Sequence, residues 1–337
     1  MPSLNKDQAA GCYVHVPFCA SKCRYCTFYS ETAHFTHTAW ADAVLREARL
    51  LAPSFSCFDS LYLGGGTPSL LSDDLLELLL LELRRALPMC EDVEVSIELN
   101  PGDVDLDRAR RLRAMGIDRV SLGVQSFDNA VLRFLGRRHD RACALRALDD
   151  LRSAGFDNLG LDLIWGIPDH TSDQMLRSVR QALAFQPEHL SCYSLTIEAG
   201  TPLHRLVEQG AVRKTDEDAL ADEAELLWSR LAEAGYDHYE VSNFARTHAH
   251  RSRHNSKYWK HVPYLGLGPS AHSFDAARRW ENVRSVRKYV DALCARQRGL
   301  AFHEVLTDEQ ISIERVMLGL RTSDGLPREW VDESRIG

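Results

Sequence analysis

The chain has 337 residues, 45% apolar and 26% charged, and its 40 basic side chains against 48 acidic ones leave a net charge of −8. This is a globular composition with apolar material for one large core or two smaller ones, which excludes disorder, collagen and a coiled-coil rod. No run of Lys or Arg is long enough to track a phosphate backbone, so nucleic acid is not an expected partner.

The N-terminal Met-Pro-Ser-Leu-Asn-Lys-Asp lacks the apolar core of a signal peptide. The longest apolar run, Leu75 to Leu83, is interrupted by Glu77 and Glu82 and is too short to cross a bilayer. A cytoplasmic protein without a transmembrane segment is expected.

After a short tail, residues 1–11, apolar β-rich runs predict strands at Tyr13–Phe18, Ser60–Leu63, Val93–Leu99, Arg119–Val124, Leu159–Trp165 and His189–Leu195. Amphipathic periodicity predicts helices at Ala39–Leu51, Asp73–Leu87, Leu106–Met115, Arg141–Ala154, Ser172–Phe185 and Glu217–Ala234. Strands alternating with helices in this way require parallel pairing with the helices outside. Met115-Gly-Ile-Asp, Ala154-Gly-Phe-Asp and Ala234-Gly-Tyr-Asp repeat one helix-ending turn at unequal spacing, which points to a partly closed barrel of βα units rather than a solenoid. The core is placed at residues 12–239.

From Tyr239 the rhythm fades, and residues 240–337 are expected to form a smaller C-terminal α/β domain, short or incomplete. Helical periodicity returns there at Val286–Arg296 and Ser312–Leu320.

Nine cysteines occur, and Cys19, Cys23 and Cys26 fall within eight residues just after the first strand. In a reducing compartment such crowding suggests a metal site rather than disulfides. Three thiolates spaced C-x3-C-x2-C can hold three irons of a [4Fe–4S] cluster and leave the fourth iron open. The rival is a structural zinc site completed by Cys12 or His15. Cys57, Cys90, Cys143, Cys192 and Cys294 are expected to be free, small apolar residues.

Gly64-Gly-Gly ends the second strand with backbone that can approach a ligand, or makes a tight turn. It does not continue as a dinucleotide fingerprint, since Ser69 stands where the third glycine would fall. Glu98, Gln125 and Asp162 lie at or near the ends of otherwise apolar strands, where a barrel presents side chains to its ligand; the alternative is that they cap strands or face solvent.

The segment from Tyr13-Val-His-Val-Pro-Phe to Cys26 resembles the signature of radical S-adenosylmethionine (SAM) proteins, in the group related to oxygen-independent coproporphyrinogen III oxidase. Further matching segments are Gly64-Gly-Gly-Thr-Pro-Ser, Ser96-Ile-Glu-Leu-Asn-Pro, Ser121-Leu-Gly-Val-Gln-Ser-Phe, Asp162-Leu-Ile-Trp-Gly-Ile-Pro and Tyr264-Leu-Gly-Leu-Gly. The resemblance implies a partial (β/α)6 TIM-like barrel with a [4Fe–4S] cluster and SAM at the C-terminal mouth of its strands. A reduced cluster would there cleave SAM to a 5′-deoxyadenosyl radical. By the same resemblance Tyr13, Tyr25, Gly65, Gly66, Thr67, Glu98, Gln125, Arg137 and Asp162 occupy SAM-contacting positions. Thr196 joins them through a contact that its backbone alone could make.

The oxidases carry a further Cys two residues after the third ligand, where this chain has Phe28. They also have a longer arm before the first strand. Phe at that position resembles the HemW-type haem chaperones, and His254-Asn-Ser-Lys-Tyr-Trp matches their haem-binding HNxxYW pattern. That resemblance implies haem held at His254, Asn255 and Tyr258 and delivered to haem proteins, with contact at a membrane surface and a monomer or homodimer left open. Read alone, a His-Asn pair in a loop is more often a hydrogen-bonded structural element. His248, His250, His261 and His272 are read as solvated or structural. The competing functions are the coproporphyrinogen III oxidase and a zinc-stabilised barrel without radical chemistry.

Overall fold

The computed structural model describes residues 9–32 and 36–328. The elements alternate as β1 (Ala10–Val16), α1 (His37–Leu51), β2 (Phe58–Gly65), α2 (Asp73–Ala86), β3 (Met89–Leu99), α3 (Leu106–Ala114) and β4 (Arg119–Gln125). They continue as α4 (Asn129–Leu135), α5 (Arg141–Ser153), β5 (Leu159–Trp165), α6 (Ser172–Ala184), β6 (His189–Ser194), α7 (Pro202–Glu208) and α8 (Glu217–Glu233). Then come β7 (Asp237–Glu240), β8 (Asn243–Ala245), α9 (Arg253–Trp259), β9 (Tyr264–Leu267), β10 (His272–Phe274) and β11 (Arg278–Asn282). The last are α10 (Val286–Cys294), β12 (Leu300–Val305) and α11 (Asp308–Gly319).

The alternation expected from sequence is present, with ends shifted by a few residues. Of the expected 1–11 tail, residues 1–8 lie outside the described residues, and Ala10 and Gly11 already belong to β1. Sequence periodicity missed α4, α7 and α9, each seven residues long.

Compactness divides the chain into two units: residues 1–18, 33–97 and 252–337, and residues 19–32 and 98–251. In the first unit the strand order is β12-β11-β10-β9-β1-β2-β3. Here β9, β1, β2 and β3 run parallel, and β10 to β12 add an antiparallel extension. Trp40, Val44 and Ala48 of α1, with Leu76, Leu80 and Leu83 of α2, are buried, as are Cys12, Val14 and Val16 along alternate positions of β1. Full burial of each large apolar side chain contributes about 1.5 to 3 kcal/mol.

In the second unit β4, β5 and β6 are parallel and β6-β8-β7 antiparallel. Helices α3, α5 and α8 end in the repeated turn read from sequence. Gly116, Gly155 and Gly235 adopt φ of 80°, 87° and 82°, and their amides and those of Ile117, Phe156 and Tyr236 return to the last helical carbonyls. The positive φ is why glycine stands there.

One cysteine expectation fails. Cys57 and Cys90, entering β2 and β3 with Cα atoms 6.0 Å apart, form a disulfide; the parallel pairing that sets Phe58 opposite Met89 brings them together. Of the remaining three, Cys192 is buried, Cys143 is partly buried and Cys294 is exposed.

Candidate cofactor site

Cys19, Cys23 and Cys26 lie on the loop that opens the second unit, and none of the three is in a disulfide. Backbone bonds shape this loop: Cys19 N–H donates to Glu31 O (3.1 Å) and Cys26 N–H to Cys23 O (3.3 Å). Arg24 is gripped on both sides. Its N–H donates to Leu135 O at the end of α4 (3.1 Å), and its carbonyl accepts from Leu203 N–H in the first turn of α7 (2.9 Å). Tyr25 packs on the apolar cluster of Val131, Leu135, Ile167, Leu195 and Leu203.

Arg137 supplies positive charge. Its guanidinium donates to Gly123 O (2.8 Å) and to Cys23 Sγ (3.4 Å). Burial pushes the Cys26 thiol up, and the neighbouring Cys23 and Cys19 push it further. Burial likewise raises the Tyr25 phenol, against the opposing pull of Arg137. Among the described residues no trio of His, Cys, Asp or Glu is gathered as a metal site, so the case for a cluster rests on donor chemistry. Three thiols outside any disulfide on one loop, with a guanidinium to offset thiolate charge, suit iron–sulfur ligation.

Around them stand the strand ends. Gln125 closes β4 with φ of +64°, a conformation unfavourable for a side-chain-bearing residue that is common at functional positions. Asp162 lies midway along β5 rather than at its end and accepts from Ser121 Oγ (3.0 Å); burial raises its carboxyl, opposed by the hydrogen bonds of Ser191 and Ser121 and by the charge of Arg137. Tyr193 on β6 is 42% exposed, and the nearby carboxylates of Asp162 and Glu98 oppose ionisation of its phenol. Thr196 follows β6, exposed, its hydroxyl bonded to Ser194 O (3.4 Å). The second unit therefore gathers the thiol of Cys23 with Tyr25, Arg137 and Asp162, and Tyr193 with Asp162 and Glu98.

Tyr13, Gly65, Gly66 and Thr67 belong to the first unit. Tyr13 OH and His15 Nδ1 share a hydrogen bond of 3.0 Å. Gly65 has φ of +106°, and a Cβ there would meet the His15 ring at 2.5 Å. A Cβ on Gly66 would lie 2.7 Å from Val16 O and Phe18 O. The glycines thus serve close packing at the end of β1, whatever else approaches them. Of the two side chains considered as a fourth zinc ligand, Cys12 is wholly buried, which raises its thiol, and His15 is engaged with Tyr13.

Residues 13–182 match the Radical SAM superfamily. The chain is 37% identical to the heme chaperone HemW of Mycobacterium tuberculosis over 326 residues, 95% of this chain and 83% of the relative. It is 32% identical to that of Bacillus subtilis over 94% of this chain and 84% of the relative. The chain belongs to the HemW family of radical SAM proteins. Among solved structures, coproporphyrinogen III oxidase (HemN) of Escherichia coli, a radical SAM enzyme, has the same TIM-like α/β fold, with a TM-score of 0.82 at 24% identity over 95% of this chain and 77% of that one.

The HemW-type motif His254-Asn-Ser-Lys-Tyr-Trp is not in a loop: it forms α9, capped by Ser252. His254 is 1% exposed. Its Nδ1 is hydrogen-bonded to Ser60 Oγ (3.2 Å) and its Nε2 to Tyr258 OH (2.8 Å), while burial lowers its pKa to about 3. Asn255 N–H donates to the cap (3.2 Å). As held here, His254 offers no nitrogen to an iron and does not fit an axial ligand. The other histidines have ordinary settings: His250 bonds Thr247, His261 bonds Glu314, His272 is largely exposed beside Glu281, and His248 is exposed.

Proposed function

We propose that this chain is a haem carrier. It holds a [4Fe–4S] cluster on Cys19, Cys23 and Cys26, binds SAM at the strand ends, and delivers haem to haem proteins in the cytoplasm. The observation that carries this reading is the 37% identity with a heme chaperone HemW across 95% of the chain. Phe28 agrees with it, presenting a 67% exposed ring where the oxidases carry a further thiol.

A bound cluster would supply single electrons to the sulfonium of SAM. The chain's own part is to bind and orient. The guanidinium of Arg137 suits thiolate charge beside Cys23 or a carboxylate, and the carboxyls of Glu98 and Asp162 suit the ammonium and hydroxyl donors of an amino-acid nucleoside. Haem is cargo in this reading, and His254 is given no part in holding it. Among the described residues no helix is long and apolar enough to cross a membrane, so acceptors are met from solution or at a membrane surface.

The test is anaerobic. Protein reconstituted with iron and sulfide is offered haem and then an apo-haemoprotein, and separately coproporphyrinogen III with SAM and reductant. Haem uptake and transfer, with no protoporphyrinogen formed, is the expected result. Sustained decarboxylation without haem uptake would replace the carrier by the oxidase.

A further inference from the structure

Helix α9 is docked at both ends. Arg253 N–H donates to Glu94 and its guanidinium to Asp92 O (2.6 Å), while Lys257 Nζ donates to Asp59 Oδ2 (2.7 Å) and to Ala9 O (2.8 Å). This anchoring places the His254 ring over the first positions of β1 and β2. A Cβ on Gly11 would sit 2.9 Å from His254 Nδ1, so glycine is what lets the ring in, and Ser60 opposite Gly11 bonds that same nitrogen.

From there the strand period carries the contact along one face. Gly11, Tyr13 and His15 alternate on β1, paired with Ser60, Tyr62 and Gly64 of β2. His254 stacks on Tyr62, ring centroids 5.2 Å apart at 25°, and on Tyr13 at 6.1 Å and 29°. The hydroxyl of Tyr13 fixes His15 Nδ1, and the His15 ring fills the space a Cβ on Gly65 would need. An unbroken column of rings thus runs about 13 Å along the strands, four residues at roughly 3.3 Å each. It begins at α9 and ends under Gly65-Gly66-Thr67.

We propose that His254 is a positioning residue for the Gly65–Thr67 turn: its ring, pinned by Ser60 and Tyr258, sets Tyr13 and Tyr62, and through Tyr13 and His15 the backbone that receives SAM. The HNxxYW helix then serves SAM from the opposite end of the strands. This rests on the SAM-binding reading above and deepens it.

The test uses the full, cluster-loaded chain and reads SAM affinity by anaerobic calorimetry, iron per chain, and the absorbance of added haem. His254→Gln keeps polar atoms but loses the flat ring, and should weaken SAM binding about tenfold, the scale of one to two lost interactions, with iron content unchanged. His254→Phe keeps the stacked ring without its hydrogen bonds and should stay within about threefold of wild type, a difference that follows ring stacking and not polar partners. Should His254→Gln fail to fold, Tyr62→Leu removes the stacking partner instead and should weaken SAM binding by a similar factor.

SAM affinity unchanged in folded His254→Gln, or in Tyr62→Leu where the first does not fold, overturns the proposal alone. A wild-type chain that binds no SAM overturns the underlying reading and the proposal with it. A haem spectrum altered in His254→Phe and His254→Gln, with SAM affinity intact, returns His254 to haem ligation and equally overturns positioning.

Discussion

At the scale of single residues, the proposed chemistry rests on thiols and carboxyls whose surroundings differ. Cys19, Cys23 and Cys26 share one loop outside any disulfide, whereas Cys12 is wholly buried and Cys57 is bonded to Cys90. Serine at position 19, 23 or 26 should abolish the visible absorbance of reconstituted protein, because a neutral hydroxyl replaces a soft thiolate poorly. Cys143→Ser should leave iron content unchanged. Iron retained in all three loop variants would remove the cluster from this loop. For the carboxyls, Glu98→Gln and Asp162→Asn keep volume and remove charge. The Asn oxygen can still accept from Ser121 Oγ, as Asp162 does at 3.0 Å, so the thermal midpoint should hardly move. SAM affinity should fall roughly ten- to a hundredfold, the worth of a charge-assisted hydrogen bond at about 1.5 to 3 kcal/mol. Unchanged affinity in both would leave these carboxyls with a structural part alone.

At the scale of elements, the cysteine loop is held by two short helices that sequence reading missed. Thr201 caps α7: its Oγ1 accepts from His204 N–H (3.1 Å) and donates to Glu198 O (2.7 Å). The cap orients the turn whose Leu203 N–H grips Arg24 O at 2.9 Å. Thr201→Ala should cost about 0.5 to 2 kcal/mol and quicken iron loss during chelator challenge, with Thr201→Ser restoring both; equal iron loss in all three proteins would show that the grip is not needed. The long elements were legible because burial imposes a period on ten or more residues, as in α2, where Leu76, Leu79, Leu80 and Leu83 face inward. Seven residues complete barely two turns, so α4, α7 and α9 left no such pattern. Spacing singled out the cysteine triad as a candidate site, and polar residues on otherwise apolar strands singled out Glu98, Gln125 and Asp162 as candidates. Resemblance alone supplied Arg137, because its role depends on a fold that returns it to Cys23, 114 residues away in the chain. His254 shows the opposite limit: the motif was readable, yet the partners occupying both nitrogens come from β2 and from the helix's own next turn.

At the scale of the whole molecule, buried histidines make the fold acid-sensitive. Desolvation lowers His139 to about 4 and His254 to about 3, and puts His189 well below its ordinary 6.5. His139 and His189 lie in the second compact unit and His254 in the first, so each unit carries the sensitivity. A folded pKa below the unfolded one means that the folded chain refuses protons which the unfolded chain accepts once pH drops under 6.5. Stability is therefore fully present above that value and is lost as pH falls toward the folded pKa values, by at most about 1.4 kcal/mol per pH unit for each such histidine; His37, His170 and His261, also lowered by burial, add to the loss. Glu47 and Asp162 act in the opposite sense, because burial raises their carboxyls and the folded chain takes up their protons first. The histidine loss is accordingly cleanest in the upper part of the window. Urea midpoints should be level above pH 7 and fall steadily from 6.5 to 5.5, and His139→Gln should make that slope shallower. Midpoints that stay level from pH 7 to 5.5 would mean that these rings take up protons inside the fold, with water or a carboxylate reaching them.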